Sequence, residues 1–563
     1  MEIKTSLQLK EAILEYLITL NIYEKEDIDK VKLLDENEKV ANGYLIKDAK
    51  ILSKNGLNQY ELGFQENNTK LRPGDSVNLI QRQNNKTYAA KIIENNFETI
   101  SLSSSIELKE NEIFDIEVIQ SSVLDAIISV AQSIEPGGPG YSFLKQLAGE
   151  DSLKNKGLST VEAPLQSYDL NEEQLSITKS MLLRPSLKCL QGPPGTGKTK
   201  VLSAIAHAFS SAGKEVLIIA LTHQAVNNAL NAIAKYPCHK NIHKIGDLIK
   251  TKGLDENINK YQSYIDYIPV RKKNRKNPNG AILGMTFHSA MSSLGLHTSS
   301  FTPSIILVDE AGQMPFCFGA IIGALGAGSM LFLGDDRQMP PIFHPKLENN
   351  QLSKSIFTWI CDKYPEAKDV LSVTYRMNDE ITKYVSEKFY EPYGVKLTSH
   401  ISAASNRLSF ICKTEQPIVK KIFETSESIV EIQVSHETWE DYNTEEANAI
   451  YDIVVELLSQ NISIKDFAIV TPFRRQVKTI RSTLLGRGIP ENQLPIIDTV
   501  ERLQGQDVDI IIISFSVTDS NYFIKNKSFI MNTNRLNVMV SRAKRKVIIL
   551  RGLVCQDFEK SVY

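Results

Sequence analysis

The segment Gly192-Pro193-Pro194-Gly195-Thr196-Gly197-Lys198-Thr199 constrains this chain more than any other. It satisfies G-x-x-x-x-G-K-[ST] in full, and its flanks supply the context that the pattern needs. Residues 188–190 read as the end of a strand, and Val201, Leu202, Ile205, Ala206 and Phe209 recur at helical spacing. A strand–loop–helix unit of this kind turns backbone N–H groups inward around phosphate oxygens, and the helix N-terminus adds a favourable dipole. Gly192, Gly195, Thr196 and Gly197 would form the cradle. Lys198 would neutralise the β- and γ-phosphates, and the Thr199 hydroxyl would hold Mg²⁺. The pattern predicts that the chain binds a nucleoside triphosphate.

Residues 304–308 form an apolar strand that ends in Asp309-Glu310-Ala311-Gly312-Gln313. Acids at the carboxyl end of such a strand lie beside the phosphate loop, where open α/β sheets bind ligands. Asp309 would complete the Mg²⁺ shell, and Glu310 would orient and deprotonate the attacking water. The pair predicts hydrolysis as well as binding.

With 563 residues and 42% hydrophobic side chains, the chain can build two or three domains with proper cores. Lys and Arg number 64 against 66 Asp and Glu, so any polyanion site must be a local cleft. The six cysteines lie far apart without a C-x-x-C pair, which argues against a disulfide framework, a zinc ribbon or an iron–sulfur cluster. Cys238-His239 with His243 lacks a fourth ligand and reads as a surface loop. The helix predicted over 7–20 carries Glu11 and Glu15 within its apolar face, unlike a secretory signal. The weakly apolar run 316–333 is rich in Gly and Ala and connects two motifs, so it reads as a buried helix and strand and not as a membrane span. The expectation is a soluble, intracellular enzyme, cytoplasmic with the nucleus left open, and with no membrane association.

Texture divides the chain at about residue 165. Residues 1–165 open with a helix. Short alternating strands follow, punctuated by Arg72-Pro73-Gly74-Asp75, which predicts a small β-barrel over about 36–120. A second helix is expected near 123–134, then a flexible Glu135-Pro136-Gly137-Gly138-Pro139-Gly140. Residues 166–345 alternate strand and helix, as a parallel sheet does, and residues 346–563 do so again without a phosphate loop of their own.

An ordered series of segments surrounds the phosphate loop. Leu170-Asn171-Glu172-Glu173-Gln174 precedes it; Leu221-Thr222-His223-Gln224-Ala225 and Met285-Thr286-Phe287-His288 follow. Past the acidic pair come Gly334-Asp335-Asp336-Arg337-Gln338-Met339-Pro340-Pro341 and Thr374-Tyr375-Arg376-Met377. Next are Val470-Thr471-Pro472-Phe473, then Asp498-Thr499-Val500-Glu501-Arg502-Leu503-Gln504-Gly505-Gln506-Asp507, and finally Arg535-Leu536-Asn537-Val538-Met539-Val540-Ser541-Arg542. The set, spanning about residues 166–550, strongly resembles helicase superfamily 1, in particular its up-frameshift-like group, which moves 5′→3′. The resemblance implies an α/β fold with two tandem RecA-like parallel-sheet domains. The N-terminal helices and barrel resemble that group's stalk and accessory barrel, and an extra subdomain is expected near 240–280.

The resemblance also implies roles. Gln174 would pair with adenine, although Asn171 as N-cap with Gln174 three residues on is equally a capping box. Tyr375 would stack on the base or sit in the core, and Asp507, where the group usually has Glu, would contact the ribose. Gln338 would sense the γ-phosphate of ATP, while Arg376 and Arg542 would reach it across the cleft with planar, bidentate guanidinium groups. Thr222, Thr286, Thr471 and Thr499 would hold the phosphates of a single-stranded DNA or RNA, or serve as caps and turn residues. The run Arg271-Lys272-Lys273-Asn274-Arg275-Lys276 is either a nucleic-acid contact or a solvated face. Asp336 stands where the group often has another residue, and no nuclease motif or Cys/His-rich module accompanies the core. The expected activity is an ATP- and Mg²⁺-dependent translocase that unwinds duplexes. A remodeller that strips proteins without unwinding, and a nucleotide switch that binds a protein partner, are the two rivals.

Overall fold

The computed structural model of the protein describes residues 3–552 except 97–98, 120–121, 154–167, 184, 237–240, 275–276, 294–300, 409, 411, 413, 435–436 and 504. Cys238, His239, Arg275, Lys276, Gln504 and Cys555 therefore lie outside the described residues.

The first helix, Ser6–Leu33, starts at a capping box: the Thr5 hydroxyl accepts from the Gln8 amide and the Gln8 side chain accepts from the Thr5 amide. Leu9, Ile13, Tyr16 and Leu17 fall on one stripe and are buried against helices Leu124–Gln132 and Pro139–Ala148. The predicted flexible stretch thus ends in a helix, which Pro139 starts at its first position.

Between these helices lies a closed antiparallel barrel: β1 (Leu45–Gly56), β2 (Gln59–Gly63), β3 (Ser76–Gln81), β4 (Lys86–Asn95), β5 (Thr99–Ser104) and β6 (Ile113–Val118), in the order β1-β2-β5-β4-β3-β6. Alternate residues such as Ile46, Tyr60, Leu79, Ile92, Leu102 and Phe114 fill its interior. The turn at Gly74 needs a left-handed backbone, with φ of 87°.

The first parallel sheet contains β7 (Leu187–Gln191), β8 (Val216–Ala220), β9 (Ile242–Ile245), β10 (Asn259–Tyr261), β11 (Ile282–Thr286), β12 (Ile305–Val308), β13 (Ser329–Gly334) and β14 (Lys368–Val370). Their order is β10-β9-β11-β8-β12-β13-β7-β14. Leu217 and Ile219 point into one core layer and Val216, Ile218 and Ala220 into the other, so both faces are covered. The layer on the first face also holds the N-terminal helices, which fixes the stalk to this lobe.

Two boundaries differ from the expectation. The first lobe runs past residue 345, because β14 pairs in parallel with β7 and helix Ile356–Lys363 buries Ile356, Phe357 and Ile360 in the first lobe's core. The segment 240–280 is not a separate subdomain: β9 and β10 extend the main sheet at its edge.

The short pair β15 (Val373–Thr374) and β16 (Thr398–Ser399) leads into the second sheet. That sheet holds β17 (Ile429–Gln433), β18 (Phe467–Thr471), β19 (Ile496–Thr499), β20 (Val508–Ser514) and β21 (Ala543–Arg551), all parallel, in the order β17-β21-β20-β18-β19. No helix among the described residues is long and apolar enough to cross a membrane.

Candidate nucleotide and nucleic-acid site

The phosphate loop leaves the carboxyl end of β7 and enters helix Lys198–Ser211. Gly195 and Gly197 take φ of 74° and 87°, values that a residue with a Cβ adopts at a cost. A Cβ on Gly195 would also lie 2.4 Å from the Arg376 Cβ, and one on Gly192 would strike the Lys198 side chain. The Lys198 ammonium donates to the Gly192 carbonyl, which folds its side chain back over the loop.

Asp309 and Glu310 follow β12 directly, two strands from β7. Asp309 is buried, and its carboxylate accepts the Glu310 amide at 3.0 Å. Burial and the neighbouring Glu310 push the Asp309 carboxyl up, while Lys198 opposes the shift. Glu310 adopts a left-handed backbone, φ 54°, which is rare for a residue with a side chain. Its carboxylate accepts from Gln313 at 2.9 Å, and the residue is half-buried.

Segment 374–376 comes from the second lobe's side and clasps the loop. The Thr374 hydroxyl donates to the Pro194 carbonyl at 2.8 Å, and the Tyr375 amide donates to the Gly195 carbonyl at 2.9 Å. Tyr375 is not a core tyrosine. Its ring is 38% exposed, it stacks on His400 with centroids 4.3 Å apart, and its hydroxyl accepts from Asn171 at 2.8 Å. Gln174, in contrast, is buried with its amide engaged at both ends: Oε1 accepts the Asn171 amide at 3.2 Å and Nε2 donates to the Thr196 carbonyl at 3.0 Å. It braces the phosphate loop.

Arg376 and Arg542 converge on one carboxylate. Asp507 lies 2.7 Å from Arg376 and 3.6 Å from Arg542, so the structure places it with the arginine pair, whereas the resemblance implied a ribose contact. Burial pulls the Arg376 pKa down, with Asp507 opposing, and takes that of Arg542 to about 10, with Arg376 as the next cause. Each retains a buried Nε with no hydrogen-bond partner among the described residues.

Gln338 sits behind the loop. Its amide donates to Asp335 Oδ2 at 2.7 Å, and the Tyr390 hydroxyl donates to the same oxygen at 2.6 Å. Asp336 accepts from Gln191, the last residue of β7, at 2.8 Å and pairs with Arg337 at 2.9 Å.

The four threonines all lie at the carboxyl ends of strands, Thr286 beside Ala220 and Thr471 beside Thr499 in register. Only Thr222 is exposed, and its hydroxyl caps helix His223–Ala234 by accepting from Ala225 at 3.2 Å. Thr286, Thr471 and Thr499 are buried, and the first two hydroxyls accept from Ser289 and Phe473 amides. Capping and turn bonds account for the Thr222, Thr286 and Thr471 hydroxyls as they stand. The basic run is split: Arg271 pairs bidentately with Glu215 at 3.0–3.1 Å and lies over Phe301, while Lys272 and Lys273 are exposed.

Sequence reasoning missed a positive seam beside Thr499. Arg474 and Arg502 of the second lobe and Arg72 of the barrel are exposed there, close enough to perturb one another, with the Asp498 and Glu501 carboxylates among them and Asp498 3.8 Å from Arg502. Partial burial of its guanidinium, and then Arg502, pull the Arg474 pKa down. Three separate chain segments build this cluster, so no local motif announces it.

Two family models, each described as an AAA domain, match residues 174–344 and 352–552. The DNA replication ATP-dependent helicase/nuclease dna2 of Schizosaccharomyces pombe is 29% identical over 412 residues, which cover 68% of this chain and 28% of the relative. Its counterpart in Homo sapiens is 26% identical over 409 residues, 68% of this chain and 37% of the relative. An uncharacterized ATP-dependent helicase of Methanocaldococcus jannaschii is 27% identical over 490 residues, 70% of each chain. The chain thus spans 28% and 37% of the length of these two helicase/nucleases. With the phosphate loop, the acidic pair and the second-lobe arginines on one cleft, these matches identify the chain as a member of the superfamily 1 helicases, in their up-frameshift-like and Dna2-like group.

Proposed function

We propose that this protein hydrolyses ATP to move 5′→3′ along single-stranded nucleic acid and to separate duplex strands. The observation that carries the reading is the position of Arg376. It belongs to the segment that clasps the phosphate loop, and its guanidinium leads back to Ser541 and Asp507 of the second lobe. A guanidinium so placed couples closure of the cleft to stabilisation of charge on the transferring phosphoryl group.

The residues present fit a triphosphate. Gly192, Gly195, Thr196 and Gly197 supply the cradle, Lys198 folds over it onto the Gly192 carbonyl, and two buried arginines each keep an Nε with no hydrogen-bond partner among the described residues. The Thr199 hydroxyl and the Asp309 carboxylate are the oxygen donors that would hold Mg²⁺, which neutralises phosphate charge when bound. Glu310 takes the proton of the attacking water, Arg376 and Arg542 bind the γ-phosphate oxygens, and Gln338 orients on the same group. Tyr375, exposed and already stacked on His400, offers its ring to the base. Gln174 acts on the nucleotide by holding the Thr196 carbonyl.

The strand would cross the carboxyl ends of both sheets, past Thr222, Thr286, Thr471 and Thr499. Arg72, Arg474 and Arg502 would supply the positive charge that backbone contacts require. The names of the relatives favour DNA as the track. Those names, and the free thiols of Cys189, Cys317, Cys361 and Cys412, support a location inside the cell.

The test is ATPase activity with and without matched single-stranded DNA and RNA, followed by unwinding of duplexes with a 5′ or a 3′ tail. Stimulation by a single strand and unwinding from the 5′ tail are expected. Hydrolysis indifferent to nucleic acid would support the switch-type rival. Displacement of a bound protein without any strand separation would support the remodeller.

A further inference from the structure

Tyr390 belongs to no motif read from the sequence, yet it is fully buried at the junction of the lobes. It closes the π-helical turn Ser386–Tyr390, whose wider winding carries the side chain into the junction. Its hydroxyl donates to Asp335 Oδ2 at 2.6 Å and accepts from Asn537 Nδ2 at 2.9 Å. Asn537 also donates to the Arg337 carbonyl at 2.7 Å. Asp335 and Arg337 belong to the first lobe, Tyr390 and Asn537 to the second. Burial, and then the Asp335 carboxylate, push the Tyr390 pKa well up, so the hydroxyl remains a donor.

The shared acceptor gives this junction its meaning. Asp335 Oδ2 accepts from Gln338 at 2.7 Å as well as from Tyr390. Two donors on one carboxylate oxygen divide its charge, so each bond is weaker than it would be alone. With the Tyr390 hydroxyl in place, Gln338 is held less tightly and its amide can turn to the phosphate. With the hydroxyl withdrawn, Asp335 holds Gln338 alone.

We propose that Tyr390 is a positioning residue: its hydroxyl reports the arrangement of the two lobes to Gln338 through the shared oxygen of Asp335. The inference rests on the reading above that Gln338 acts on the γ-phosphate. Tyr390→Phe removes one oxygen and keeps the ring that packs in the core. It should lower nucleic-acid-stimulated kcat about tenfold while KM for ATP stays within about twofold. Combined with Gln338→Ala, it should add nothing, the double variant hydrolysing at the rate of Gln338→Ala alone. Asn537→Ala, which leaves Tyr390 but removes the amide that orients its hydroxyl, must show the same epistasis and serves if Tyr390→Phe fails to fold. Defects that multiply in the double variants, or parental kcat in Tyr390→Phe, overturn the inference and leave the reading of Gln338 standing. Parental kcat in Gln338→Ala itself would overturn both.

Discussion

The Asp507 carboxylate meets the Arg376 guanidinium at 2.7 Å, and both residues belong to the second lobe. The charge aimed at the phosphate site is therefore balanced by the lobe's own side chain, with Arg542 sharing the same carboxylate at 3.6 Å. This arrangement keeps two nearly buried guanidinium groups tolerable without a ligand, and a phosphate must compete with Asp507 for them.

Asp507→Asn should thus lower the melting temperature, since it removes the nearest counter-charge of two cations. Fully buried pairs lose about 3–5 kcal/mol on losing one partner; the Asp507 side chain is 32% exposed, so about 1–3 kcal/mol is expected. A non-hydrolysable triphosphate should stabilise the variant more than the parent, because phosphate replaces the lost charge. Thermal melts with and without the analogue check this; equal ligand-induced shifts would count against it.

Gln174 braces the loop through the Thr196 carbonyl, so Gln174→Ala should weaken ATP and GTP binding by similar factors. Titrations of both nucleotides decide the matter. A selective loss of ATP affinity would show that the amide reads adenine.

Lys244, on β9, has no exposed surface, and among the described residues its Nζ reaches only the Ile245 carbonyl, at 3.5 Å. Burial brings its pKa from 10.5 down to about 8. The unfolded chain therefore binds this proton more tightly between those values, and the contribution of Lys244 to stability rises with pH from 8 to 10.5. Lys244→Met removes the penalty. It should stabilise the fold at pH 7 by on the order of 1–3 kcal/mol, seen as a raised melting temperature, with an advantage that fades toward pH 10.5. A lower melting temperature at pH 7 would assign Lys244 a structural partner instead.

Glu310 gives a clean separation of binding from chemistry. Glu310→Gln preserves shape and removes the proposed base, so a fluorescent ATP analogue should bind with affinity within a few-fold of the parent while turnover disappears. Residual turnover near the parental rate would move the base elsewhere.

The phosphate loop, the acidic pair and the two sheets were legible because each depends on neighbours in sequence. A strand, a glycine turn and a helix follow one another, and fully buried parallel strands announce themselves as apolar runs such as residues 216–220. Asp507 was not legible, since its partners Arg376 and Arg542 are brought to it only by the fold. Nor was the extension of the first sheet by β9 and β10. Their short strands lie at an edge with polar residues such as Lys244 and Lys260, and alternate no more clearly than a loop does. Gln174 showed its capping box in sequence, but its hold on the Thr196 carbonyl spans a helix and a turn. Tyr390 lies outside every motif read from the sequence, and Asn537 lies inside one that does not announce its contacts, because their role exists only where the lobes meet.

A catalytic cleft completed by the second lobe is tested most directly by the ATPase rate of Arg376→Ala and Arg542→Ala in the presence of single-stranded nucleic acid. Arginines of this kind contribute on the order of 10³–10⁵ in rate. Each variant should therefore lose hydrolysis by orders of magnitude while triphosphate affinity falls far less, and Arg→Lys should restore little, because an ammonium cannot reproduce the bidentate geometry. Near-parental hydrolysis by either alanine variant would contradict the two-lobe mechanism.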